Sequence, residues 1–150
     1  MFKKIFLSAM AVLLVSCWSC QVTVDTEAEK EAIKQVVQAQ LDAVSALSLE
    51  GEAAVWAQTP YVVRRGIQGW DSVSVLYRNA FESWSTDSMN YQCKVFTASN
   101  FDIYLNGTFA SVVHDEHHEY VLKGEEQVHD GTVHKYLEKI DGEWKIIALF

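Results

Sequence analysis

The sequence predicts an α+β domain in which N-terminal helices pack on one face of a strongly curved, mostly antiparallel sheet. Two observations carry this expectation. Apolar residues recur at helical spacing as far as Trp84, and after Asp87 the chain changes to alternating segments rich in aromatic and β-branched residues. Helices followed by a meander are the α+β order, and the length of the predicted strands points to curvature.

Taken in order, Thr26-Glu27-Ala28-Glu29 has the pattern of a helix capping box. Ile33, Val36, Val37, Leu41, Val44 and Leu47 follow at three- and four-residue steps. Together they predict one amphipathic helix over 26–48. Gly51 is expected to interrupt it, and Glu52 to Gln58 to form a second, short helix carrying Trp56 that Pro60 stops. Tyr61-Val62-Val63 reads as a brief strand and Arg64 to Gly69 as a turn-rich loop. A third helix over 70–84 turns Val73, Leu76, Tyr77, Ala80 and Phe81 inward. Strands are expected over 89–98, 100–105, 108–122, 126–139 and 143–150, with turn signals at Asn106-Gly107, Lys123-Gly124 and Asp141-Gly142. Asn106-Gly107-Thr108 also matches a glycosylation sequon, but a hairpin turn explains it better.

Ahead of the helices, Lys3 and Lys4 precede an apolar run from Ile5 to Val15, and Cys17 follows. The run is shorter than the roughly 20 residues that span a bilayer, so it reads as a signal and not an anchor helix. The placement of Cys17 resembles a bacterial lipobox, which implies cleavage before Cys17 and acylation of that residue. The expected organisation is a signal peptide over 1–16, a tether over 17–25 and one domain over 26–150. The domain would then lie outside the cytoplasm at the bacterial cell envelope, meeting the membrane through its lipid anchor alone.

The 134 residues left by such cleavage suit a single core. Five Trp, six Tyr and seven Phe supply ample apolar surface. The formal charge is −8, and loss of Lys3 and Lys4 would take it to −10. An acidic chain with no Lys/Arg stripe repels phosphate backbones, so nucleic acid is excluded as an expected partner. With Cys17 acylated, Cys20 falls in the tether and Cys93 in a strand. That arrangement reads as an incidental cysteine and a buried thiol, and no cysteine spacing suits a zinc site.

The densest polar cluster is His114-Asp115-Glu116-His117-His118-Glu119, inside an otherwise apolar strand. Alternation puts His114, Glu116 and His118 on one face and Asp115, His117 and Glu119 on the other. The first set shares its parity with Ala110 and Val112. Three readings stay open. A His–carboxylate pair suits general acid–base chemistry. His114 and His118, with Glu116 and with His129 from the next strand, could ligate a divalent metal. Alternatively, the cluster is a solvated strand surface or a dimer interface with cross-strand charge pairs. Trp56, Tyr61, Trp70, Tyr136 and Trp144 either line an apolar pocket or form core, and Arg64-Arg65 suit either an anionic ligand or an exposed loop.

Several stretches, in order, resemble the nuclear transport factor 2-like superfamily, in its branch of SnoaL-like cyclases and ketosteroid isomerase. They are the long first helix, Tyr61-Val62-Val63 leading to Gly69-Trp70-Asp71-Ser72-Val73, the run Phe101 to Ala110, and Leu137-Glu138-Lys139-Ile140-Asp141-Gly142-Glu143-Trp144-Lys145-Ile146. The resemblance implies a cone-shaped half-barrel closed at its mouth by helices, often a homodimer through the outer face of the sheet, and often a small apolar ligand inside. It also places the small residue Ala110 against the helices, which implies that His114, Glu116 and His118 face inward. No acid or base position carries over residue by residue, and related domains often continue past the final strand with histidines and a serine where this sequence reads Ile147-Ala148-Leu149-Phe150.

The leading expectation is a lipid-anchored envelope domain without a cofactor that binds a small, largely apolar molecule or a protein partner, with His114, Glu116, His118, Trp56, Tyr61, Trp70 and Trp144 around the ligand. The alternatives are two. One is an isomerase, dehydratase or cyclase in which His114 acts as acid or base, Glu116 orients it, and Tyr61 or Tyr136 donates to a developing oxyanion. The other is a purely structural homodimerisation module.

Overall fold

A computed structural model of the chain describes residues 26–150. The readings made at Cys17 and Cys20, and those of the signal peptide and tether, lie outside the described residues. Helices α1 (Thr26–Ser45), α2 (Leu49–Val55) and α3 (Trp70–Trp84) pack on a six-stranded sheet. Its strands are β1 (Val63–Arg64), β2 (Ile67–Gln68), β3 (Gln92–Asn106), β4 (Phe109–Leu122), β5 (Glu125–Ile140) and β6 (Glu143–Leu149), in the order β2-β1-β6-β5-β4-β3. All pairings are antiparallel except β1 with β6. The sheet is an open cone, as expected. Register shifts put extra residues in β3 between Cys93 and Val95 and between Ser99 and Asp102, and in β6 at Ile147 opposite Tyr136/Leu137, and such bulges bend the sheet around the helices. Among the described residues, no helix is long and apolar enough to cross a membrane.

The first helix ends three residues earlier than its periodicity predicts. Leu47 takes a left-handed conformation (φ 50°), Ser48 N–H donates to the Ala43 carbonyl at 2.8 Å, and Leu47 N–H donates to Val44 at 3.0 Å. This paired closure satisfies the carbonyls of the last turn. Ser48 then caps α2, its side chain accepting from Gly51 N–H at 3.0 Å. Gly51 therefore sits inside α2 and does not break a helix. A Cβ there would lie 2.8 Å from the Ala43 Cβ, so glycine is what lets α1 and α2 touch. Glu29, the last residue of the capping-box pattern, turns to the sheet and accepts from Trp144 Nε1 and Lys139 Nζ, both at 2.6 Å.

The stretch read as strand and loop is a minimal hairpin. Arg64 pairs with Ile67, and Arg65-Gly66 form the turn with φ of 47° and 84°. The two strands expected on either side of Ser99 are one, β3, interrupted by the bulge at Asn100 (φ 52°). Cys93 is a free, half-buried thiol on β3 that donates to Ser45 Oγ. Ile33 and Val37 of α1, with Val73, Tyr77 and Phe81 of α3, close over Ala110, Val112, Leu137 and Ile146 of the sheet, with Trp56 fully inside.

Candidate functional site

Between α1, α3 and the concave face of the sheet lies a cavity of about 350 Å³. Its walls are mostly apolar, from Leu76, Ala80, Phe81 and Trp84 of α3, Phe96 of β3 and Val133 of β5. Its polar lining comes from Gln40, Arg64, Arg65, Glu116, His118 and His129. The register of β4 with β5 explains the arrangement. Val112 faces Lys135, His114 faces Val133, Glu116 faces Gly131 and His118 faces His129.

Beneath the cavity runs a buried polar chain. Trp56 Nε1 donates to Glu52 at 2.9 Å, and Gln40 Nε2 donates to the other Glu52 oxygen at 3.1 Å. The Gln40 carbonyl oxygen accepts from Lys135 Nζ at 3.0 Å, and Lys135 donates on to Glu116 Oε1 at 2.9 Å. His114 Nε2 donates to the same Glu116 oxygen at 3.1 Å, with the His114 ring stacked on Phe101. Glu52, His114 and Lys135 are fully buried. Buried charge is tolerated only where partners surround it, and this chain supplies them to Lys135 and both carboxylates, while His114 Nδ1 is buried without a hydrogen-bond partner.

The two carboxylates have opposite characters. Burial raises the Glu52 carboxyl to about 7, outweighing its hydrogen bonds from Gln40 and Trp56. Burial also pushes Glu116 up, but the His114 hydrogen bond and the Lys135 ammonium outweigh it and bring the carboxyl down to about 2. Glu116 is therefore an ionised acceptor and a weak base. Burial lowers the Lys135 ammonium while Glu116 opposes that shift. At the mouth, His118 stacks on Phe96 with centroids 4.0 Å apart, and its Nε2 is hydrogen-bonded to the Tyr91 hydroxyl at 3.0 Å. Burial and the neighbouring His129 lower its pKa, so it is neutral at neutral pH.

The fold has known counterparts. A nuclear transport factor 2-like superfamily protein from Salmonella enterica aligns over 83% of this chain and 89% of its own, with 18% identity and a TM-score of 0.66. The fold is the nuclear transport factor 2-like fold. Two further structures with this fold come from Novosphingobium aromaticivorans. A putative scytalone dehydratase has 20% identity, 82% coverage of each chain and a TM-score of 0.65. A putative aromatic ring hydroxylase has 18% identity, covers 82% of this chain and 87% of its own, and has a TM-score of 0.66. No family model and no curated protein matches the sequence.

Within this nuclear transport factor 2-like cone, the residues singled out in the sequence part company. Glu116, His118 and His129 line the cavity, whereas His114 is sealed behind Glu116. Trp56 is core, with Trp70 tilted against it at 6.4 Å, and Trp144 lies against Glu29 away from the cavity. Tyr61 is half exposed and donates to Glu138 at 2.6 Å, while Tyr136 is exposed on the outer face, edge-on to Phe150. Neither tyrosine reaches the cavity. Among the described residues, no three His, Cys, Asp or Glu side chains converge as ligands. The donor set at His114 is also unfavourable to a cation, because the Lys135 ammonium lies 3.4 Å from His114 Nε2.

Gln40, Glu52 and Lys135 are the site residues that sequence reasoning missed. Two of them left a signal. Lys135 shares the parity of Val133 and Leu137 on β5, and Gln40 lies on the buried stripe of α1 beside Val37 and Leu41. A polar residue on an apolar stripe is the mark of a buried partner.

Proposed function

We propose that this domain holds a small, largely apolar molecule in its cavity, and that Cys17 carries it at the cell envelope through acyl chains. The observation that carries the reading is the cavity itself, with aromatic and aliphatic walls and few polar groups, which is the usual composition of a small-molecule site. The polar chain beneath it supports a binding role, since it locks Glu116 and Gln40 in place before a ligand arrives. We further propose a homodimer through the outer face of the sheet, where Tyr104, Phe109 and Tyr136 are exposed. Acid–base catalysis is the weaker reading, because Glu116 is a poor base and His114 lies behind it.

Native mass spectrometry of the full-length protein extracted gently from its own membranes tests this. The expected result is a dimer of acylated chains with extra organic mass, and loss of that mass in Ala80→Trp, which fills the cavity from α3. A protein that emerges bare, and that takes up no apolar molecule when one is added, would overturn the binding reading.

A further inference from the structure

We infer that the cavity selects an organic anion, a carboxylate carried on an apolar body, with its head seated against Arg64. The inference rests on the binding reading above and adds the class of ligand. Arg64 lies on β1, where its pairing with Leu149 of β6 anchors its backbone beside the cavity. Its guanidinium carbon stands 4.5 Å above the Tyr77 ring, which holds the group in place without neutralising it. Arg64 forms no ion pair among the described residues, and its Nε is buried without a hydrogen-bond partner.

The other charges nearby are committed elsewhere. Among the described residues, Glu116 is the sole acidic side chain in the lining, and it already accepts from His114 and Lys135. Glu52 attracts Arg64 from a distance, but its oxygens are taken by Gln40 and Trp56. Arg65 adds a second cation to the lining. What is left is a largely apolar cavity with a guanidinium that forms no ion pair among the described residues. A planar carboxylate matches the guanidinium fork with two parallel hydrogen bonds, a match that no alcohol or amide reproduces. Leu76, Phe81, Trp84 and Phe96 then face the apolar body of the same molecule.

The test is isothermal titration of the full-length protein in detergent with 1-naphthoate and with its uncharged counterpart, 1-naphthamide. Naphthoate is expected to bind about tenfold more tightly or better, the gain typical of a charge-assisted contact. Arg64→Gln should bring the two within about twofold by weakening naphthoate alone. Arg64→Lys, which keeps the charge and loses the fork, should retain an intermediate preference, and it serves equally if the Gln variant fails to fold. Equal binding of the two probes by the unmutated protein overturns the anion inference and leaves the cavity reading standing. Failure of both probes to bind overturns both. A Lys variant with the full preference, or a Gln variant that weakens both probes alike, removes Arg64 from its role.

Discussion

Strand β4 carries the same pair twice, once on each face. Inside, His114 meets Glu116 two residues on, at 3.1 Å; outside, His117 meets Glu119 two residues on, at 2.9 Å, and also Asp130 at 2.7 Å. The contact geometries are alike, but their surroundings are not. His114 is fully buried and Glu116 nearly so, with Lys135 completing the cluster, while His117, Glu119 and Asp130 stand in water. In the interior, each charge depends on its partner, because water is not there to replace it. On the surface, screening and side-chain entropy consume most of what the contact offers. One motif therefore gives a structural keystone on one face and a dispensable contact on the other.

The sharpest way to break this comparison is Lys135→Met. It leaves the Glu116 carboxylate buried without its ammonium, and loss of one partner of a buried pair costs about 3–5 kcal/mol. Urea unfolding should show that loss, and the double variant Lys135→Met with Glu116→Gln should recover much of it. A single variant as stable as the unmutated protein would mean that the inner cluster is no better coupled than the outer one.

The next effect compares the two buried carboxyls through pH. Glu52, raised to about 7 from 4.5, contributes stability that is fully present below pH 4.5 and lost as pH rises through 7. That loss amounts to about 3 kcal/mol. Glu116, lowered to about 2 from 4.5, contributes stability that is present above pH 4.5 and lost as pH falls through 2. Unfolding midpoints measured from pH 4 to pH 8 should therefore fall less steeply in Glu52→Gln than in the unmutated protein. A Glu52→Gln profile parallel to that of the unmutated protein would show that this carboxyl is not desolvated.

The smallest expected effect is on the outer face. His117→Ala should leave the urea midpoint at pH 7 within experimental error, although Asp130 and Glu119 both raise the His117 pKa. A clear loss would make the outer cluster part of an interface that shields it from water.

The fold was legible to the extent that its signals were local. Alternation and turn residues place β5 at Glu125–Ile140 against an expected 126–139, and α3 at Trp70–Trp84 as expected. The errors fell where two distant segments meet. Gly51 reads as a breaker when viewed alone, yet it is the contact point of α1 and α2. The interruption at Asn100 reads as a strand end, yet β4 runs past it and makes it a bulge. Of the candidate site, alternation could group the residues of each β4 face, but only the family resemblance pointed His114, Glu116 and His118 inward, because Val113 on the other face is as apolar as Val112. Trp56, Trp70, Trp144, Tyr61 and Tyr136 could not be sorted, because an aromatic side chain serves core, pocket and surface with the same local pattern.

By itself, the sequence determined the order of helices and strands, the hairpin turns and the alternation that groups His114 with Glu116 and His118. These follow from backbone preferences and from residues a few positions apart. Only the tertiary structure decided which polar groups leave water. Lys135 joins Gln40 across 95 positions of the chain and Glu116 across 19. Desolvation depends on what distant elements bring to a point in space, and so the charges that define the cavity floor could be read only after the helices had closed over the sheet.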